Sequence, residues 1–190
     1  MSIQKEQFRC EHLFASAKNL EDIKSFRVDK YSGKGLERYL KQNAVEEEIN
    51  KSNRTYLVKD KVTDEIAGYF SLRTGLFTLD ISTPDEDAMY SVSAVELSNF
   101  AVNSAYKDMH PEANRIGHII FTNFILPVVK SVGETVGVQA LYIYALPEDN
   151  LIAYYEALGF SRLSPEEEEF VHKHVKPHYD KGCYFMYQIL

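Results

Sequence analysis

An α/β domain with a mixed sheet is the fold that the sequence predicts, and three stretches predict it. Val95 to Val102 is short, apolar and β-branched at its ends, and a polar loop follows it, as expected for a strand. From Ile116 the apolar residues Ile116, Ile119, Ile120, Phe124, Val128 and Val132 recur at steps of three or four, which marks one face of a helix. Val138 to Leu146 is a nearly uncharged run of Val, Leu, Tyr and Ile, suited to a strand covered on both sides. A short helix, capped by Asp149 or Asn150, then holds Ala153, Tyr154 and Leu158 and ends at Gly159. The order is β-α-β-α, a unit of layered α/β folds.

The other elements follow in chain order. Met1 to Lys24 shows no clear period, and Glu11 to Ala17 has room for a helical turn or two. Phe26, Val28 and Tyr31 alternate as a first strand, SFRVDKY, closed by Ser32 and Gly33. Leu36, Tyr39, Leu40, Ala44 and Ile49 keep helical spacing, with Glu46 to Glu48 as a solvated run. RTYLVKD and EIAGYFSLR form a hairpin about a turn at Lys61 to Asp64. Between Gly75 and Ala94 the ends read as extended, while Pro84 with Asp85, Glu86 and Asp87 reads as a solvated tip. Pro127 lies inside the long helix, where it removes one hydrogen bond and crowds the preceding turn, so a kink or a break after Leu126 is expected. Pro165 before four glutamates starts an exposed helix, and CYFMYQIL is a closing strand that pairs near the one begun at Phe160.

Length and composition fit one domain, 1–190, large enough to bury a core without staples. No tract of eighteen apolar residues occurs and MSIQKEQFRCEH is polar, so neither a membrane span nor a secretory signal is expected, and the cytoplasm is the default compartment. Cys10 and Cys183 do not make a disulfide framework. A net charge of −7 with a pI near 5.4 weighs against nucleic acid as a partner, with Lys51, Arg54 and Lys59 the one place where the sequence leaves room for a local basic patch, and it suits a cationic amine substrate.

The residues from about Tyr56 to the C-terminus resemble the GNAT acyltransferases. The likeness is carried by a strand ending in Phe100, Ala101 and Val102, by the loop and helix start that follow, and by the later segment Asn150, Ala153, Tyr155 or its neighbour Tyr154, Glu156, Gly159 and Phe160. The preceding hairpin also has its place in that family. The resemblance implies a mixed, mostly antiparallel central sheet with helices on both faces. It implies acetyl-CoA as cosubstrate, its pyrophosphate held by Arg115, Ile116, Gly117 and His118. The pyrophosphate loop departs from the family pattern, with Glu112 in its first place and Arg115 where the inner glycine belongs. Helix-start amides and the helix dipole favour an anion there. Arg115 either offers its guanidinium fork to phosphate or fills the space that phosphate needs.

Acyl transfer to an amine needs a base for the amine, a donor to the carbonyl oxygen and an acid for the departing thiolate. By resemblance Tyr155 is the acid and Glu96 the base, the latter acting directly or through water. The backbone N–H of Val102 faces the thioester oxygen, and Asn150 and Ala153 border the pantetheine arm. Each has a plainer alternative: Tyr155 packing its helix on the sheet, Glu96 salt-bridged at a strand entrance, Asn150 capping a helix. His172, His174, His178 and Asp180 match no metal motif, and no metal is expected. The implied activity is N-acetylation of a small-molecule or peptide amine. The N-terminal half also resembles the branch of the family that includes toxins acetylating aminoacyl-tRNA, and tRNA is the one nucleic acid that reading admits. An inactive binding module of the same fold is the third reading. A homodimer through the strand-rich C-terminus is compatible with the sequence.

Overall fold

The computed structural model describes residues 7–174 and 182–190. Seven strands form one mixed sheet in the order β1-β2-β3-β4-β5-β7-β6, with β1 Phe8–His12, β2 Arg54–Asp60, β3 Ile66–Asp80, β4 Met89–Val102, β5 Ala140–Ala145, β6 Ser161–Arg162 and β7 Tyr184–Ile189. β4 and β5 pair in parallel, whereas β1-β2, β2-β3, β5-β7 and β6-β7 pair antiparallel. The helices are α1 Ala17–Asp22, α2 Lys34–Gln42, α3 Ala44–Ile49, α4 Ser104–Met109, α5 Ile116–Thr135, α6 Asp149–Ala157 and α7 Pro165–His174. The chain resolves into two compact units, one of residues 1–73 and 98–128, the other of residues 74–97 and 129–190, so β3, β4 and α5 each run through both.

The first unit is built on Leu13, Ile23, Phe26, Leu40, Ala44, Leu57, Ile66, Tyr69 and Ala101, all buried in one cluster. At Gly68 a β-carbon would fall 2.5 Å from Cδ1 of Ile120 and 2.8 Å from the carbonyl oxygen of Ala101. Glycine therefore lets α5 and the end of β4 settle onto β3. Asn103, 4% exposed, is the joint of this unit. Its Nδ2 donates to Ile66 O (2.7 Å), while its Oδ1 accepts from the amides of Arg27 (3.0 Å) and Ala105 (3.1 Å), the latter bond capping α4. Lys59 is buried and satisfied, donating to Asn19 Oδ1 (2.7 Å) and Asp22 Oδ2 (2.8 Å), with Glu11 at 3.4 Å.

The second unit packs Phe77, Val92, Ala94, Ala140, Tyr142, Leu163, Val171 and Phe185 together. Glu168 of α7 accepts from the amide of Phe185 (2.7 Å) and from Arg162 (3.1 Å), which stacks over the Tyr184 ring, tying α7 to β6 and β7. Ser164 and Glu167 exchange reciprocal cap bonds ahead of α7, with Pro165 as its first residue, as the sequence predicted. Gly159 ends α6 at φ 95°, also as predicted.

Several expectations are corrected. SFRVDKY is not a strand: Phe26 enters the core, and the amides of Arg27, Val28 and Asp29 are taken by the side chains of Asn103, Glu37 and Ser104 rather than by a neighbouring strand. The first strand is β1, in the stretch that showed no period. The helix expected from Leu36 to Ile49 bends at Asn43 into α2 and α3. Pro127 does not break α5. A π turn at Phe121–Ile125 precedes it, and its wider loop accommodates the ring and the missing donor. Neither Asp149 nor Asn150 caps α6; Glu148 holds that position. By length and composition α5 could cross a bilayer (mean hydropathy 1.4), but Ile116, Ile119, Ile120, Phe121, Ile125 and Val129 along it are buried, as in a core helix.

Two outcomes are expected. Asn103→Ala removes the side-chain partner of one buried carbonyl and of two part-buried amides at once and lowers unfolding free energy by about 3 kcal/mol in urea titration; a loss under about 0.5 kcal/mol would remove Asn103 as the joint. Acid should also weaken the fold. Val28's amide and then Lys41 hold Glu37 down to about 2. Lys18 and Arg9 do the same for Asp64, also to about 2. Burial pushes Asp60 up, yet bonds from Tyr106, Gln7 and two amides outweigh it and leave it near 2. All three pKa values are depressed on folding, so their stabilisation is complete above the unfolded values and is lost as pH falls from about 4.5 towards 2. A melting temperature that stays flat across that window would contradict this.

Candidate functional site

In the first unit, β4 ends at Phe100, Ala101 and Val102, with Ala101 buried and its neighbours half-buried. Asn103 then turns the chain into α4, and the chain returns through His110–Asn114 to Arg115 at the start of α5. Arg115 has φ 55° and ψ 29°, the left-handed conformation that glycine adopts freely and other residues adopt at a cost of about 1–2 kcal/mol. The backbone shape that glycine would give is thus kept without glycine. The first helical bond of α5 runs from Ile119 N to Arg115 O (3.0 Å), so the amides of Ile116, Gly117 and His118 precede it and stand at the helix start. Ile116 is buried, Gly117 and His118 are half-buried, and the Arg115 side chain is exposed. Glu112, the wrong charge for an anion site, is engaged elsewhere. Its carboxylate lies 3.4 Å from His110 Nδ1, while His110 Nε2 meets Glu65 at 2.7 Å and the ring stacks on Tyr106. The Glu65 partner raises the His110 pKa. These features fit a pyrophosphate.

In the second unit, Glu96 is 6% exposed and accepts a hydrogen bond from Tyr142 Oη (2.8 Å), its register partner on β5. Tyr142 reaches it because position 75 carries no side chain: a β-carbon on Gly75 would lie 2.3 Å from the phenol oxygen. Glu96 is therefore a buried carboxylate with a phenol donor. Tyr155 on α6 is 8% exposed, edge-on to Tyr154 (5.4 Å) and Phe160 (5.6 Å), and burial pushes its pKa well up. Burial also pushes Tyr154 up to about 12, and its hydroxyl has no partner among the described residues. Asn150 and Ala153 are exposed on α6. His172 lies against Tyr144, and His174 Nδ1 is 2.8 Å from Phe170 O. His178 and Asp180 lie outside the described residues. No group of three metal-ligating side chains occurs among the described residues.

Sequence reading missed Asn103, Gly75 and Tyr142. Asn103 had a local signal, an Asn directly before Ser104-Ala105 at a strand end, which is a cap pattern. Gly75 and Tyr142 had none, being 67 residues apart and brought together only by the packing of the folded sheet.

The fold is that of the GNAT acyltransferases. A tyrosine-to-phenylalanine mutant of the AtaT toxin superposes with a TM-score of 0.69 at 18% identity, over 97% of this chain and 90% of that one. A like mutant of KacT gives 0.66 at 18% identity, over 96% and 95%. AtaT complexed with acetyl-methionyl-tRNAfMet gives 0.60 at 20% identity, over 84% and 91%, and AtaTR has been solved bound with acetyl-CoA. No family model and no curated relative matches the chain.

A double-mutant cycle tests the Gly75–Tyr142–Glu96 arrangement. Gly75→Ala should cost about 2 kcal/mol in chemical denaturation by overpacking against the ring. Combined with Tyr142→Ala it should cost clearly less than the sum of the single losses, because the phenol oxygen and the ring carbons that a β-carbon at 75 would crowd are gone. Strict additivity would show that the two do not share this contact.

Proposed function

We propose that this chain is an acetyl-CoA-dependent N-acetyltransferase whose acceptor is the α-amine of an aminoacyl-tRNA. The observation that carries the reading is the glycine-like conformation of Arg115, which leaves the amides of Ile116, Gly117 and His118 at a helix start despite the departure in sequence. The likeness to AtaT, solved with acetyl-CoA and with acetyl-methionyl-tRNAfMet, supports the donor and favours this acceptor over a small free amine.

Acetyl-CoA supplies the acetyl group as a thioester. The three amides and Arg115 take its pyrophosphate, Phe100 to Val102 border its arm, and the Val102 N–H donates to the carbonyl oxygen as charge builds there. Asn150 and Ala153 line the pantetheine. Glu96, oriented by Tyr142, takes the proton that the attacking amine loses on forming its bond to the carbonyl carbon. The carbon–sulfur bond breaks, and Tyr155, which burial keeps protonated, donates to the departing thiolate and recovers its proton from water. An inactive binding module is the second reading, favoured by the guanidinium of Arg115 standing where family members carry hydrogen.

Calorimetry with acetyl-CoA separates them. Micromolar binding is expected, weakened at least tenfold by Arg115→Glu and by less in Arg115→Gly, which keeps the amides and loses only the fork. No heat at millimolar acetyl-CoA, from folded protein, would remove the enzyme reading. Tyr155→Phe should bind acetyl-CoA as before and lose about 10²-fold or more in transfer. Tyr154→Phe, which deletes an unpartnered buried hydroxyl, should keep transfer and gain about 1 kcal/mol of stability. The opposite pattern would move the acid to Tyr154.

A further inference from the structure

The chain carries −7 overall, yet Lys24 to Lys41 holds six cations, Lys24, Arg27, Lys30, Lys34, Arg38 and Lys41, against only Asp29 and Glu37, a net of +4. Within this segment Tyr31 is 93% exposed, on a 3-10 turn, Tyr31–Gly33, that leads directly into α2. Tyr31, Lys34, Arg38 and Lys41 follow at steps of three, four and three, so they form one solvent-facing stripe opposite Leu36 and Leu40. Ten residues at helical rise extend about 15 Å.

The stripe is fixed in place. Gly33 N bonds to Lys30 O (3.0 Å), and Val28 packs so closely over Gly33 that a β-carbon would fall 2.5 Å from its Cγ1. Glu37 turns inward, accepts from Val28 N (3.0 Å), and holds both Lys34 (3.0 Å) and Lys41 (2.9 Å). One carboxylate thereby orders two lysines, and Arg38 between them adds further positive charge.

We propose that this stripe binds single-stranded RNA, with Tyr31 stacking an unpaired base and Lys34, Arg38 and Lys41 following the phosphates. An aromatic ring exposed on both faces and flanked by cations is what sequence-tolerant binding of unpaired bases requires. A lipid surface would need more than one apolar side chain here, and the stripe has Tyr31 alone. On an otherwise acidic surface this is also the side on which a polyanion meets attraction. The inference deepens the aminoacyl-tRNA reading and rests on it for RNA as the choice among polyanions.

Fluorescence anisotropy of the full chain with a labelled single-stranded RNA dodecamer at 50 mM salt tests it. Wild type binds. Tyr31→Ala weakens binding at least fivefold, and Tyr31→Phe stays within about twofold. Arg38→Ala lowers the slope of log affinity against log salt by about 0.7. Equal binding by wild type and Tyr31→Ala overturns the proposal, as does failure of folded wild type to bind, or capture by anionic phosphatidylserine vesicles without RNA binding. The readout needs no acetyl transfer. A chain that takes up acetyl-CoA but not RNA loses only this surface, and one that binds RNA through Tyr31 but takes up no acetyl-CoA loses only the enzymatic reading.

Discussion

The first unit depends on how the end of β4 satisfies its hydrogen bonds. Asn103 is buried there, and a buried amide side chain is tolerated only when its donors and acceptor are used. It uses them on three separate segments: the start of β3 through Ile66, the extended segment 26–29 through Arg27, and the first turn of α4 through Ala105. Two further bonds, Asn103 N to Ala67 O (2.9 Å) and Ser104 N to Arg27 O (2.7 Å), close the joint. That joint positions α4, the return loop and the helix start at Arg115. It also positions the turn before α2, because the segment that Asn103 and Ser104 hold is the one that packs over Gly33 and sets the turn bearing Tyr31.

Charge is distributed in the same economical way. Carboxylates that would oppose an anion are each engaged locally: Glu112 with His110, Glu37 with Lys34 and Lys41, Asp29 and Asp108 with Arg27. Net charge, a property of the whole chain, is therefore a poor guide to what a given face attracts, since screening confines the effect of distant charges to about 10 Å.

Legibility in the sequence followed range of interaction. β2, the hairpin into β3, the strand at Val95, α5, β5, the Gly159 turn, the Pro165 start and β7 were all readable, because periodicity, capping and turn chemistry act over a few residues. The segment Phe26 to Tyr31 was misread because its alternation is real but its amides find side-chain partners up to 76 residues away. β1 was missed because an edge strand of five residues has too few positions to show a period.

Within the candidate site the same division holds. By itself the sequence determined which loop follows β4, where α6 carries its two tyrosines, and that position 115 is arginine. Only the tertiary structure decided that Arg115 takes the left-handed conformation, that Glu112 turns to His110, and that Tyr142 meets Glu96 over Gly75. The reason is physical: a backbone conformation that costs about 1–2 kcal/mol, or a buried carboxylate, persists only where surrounding contacts formed by distant segments outweigh it, and those contacts do not exist until the chain has folded.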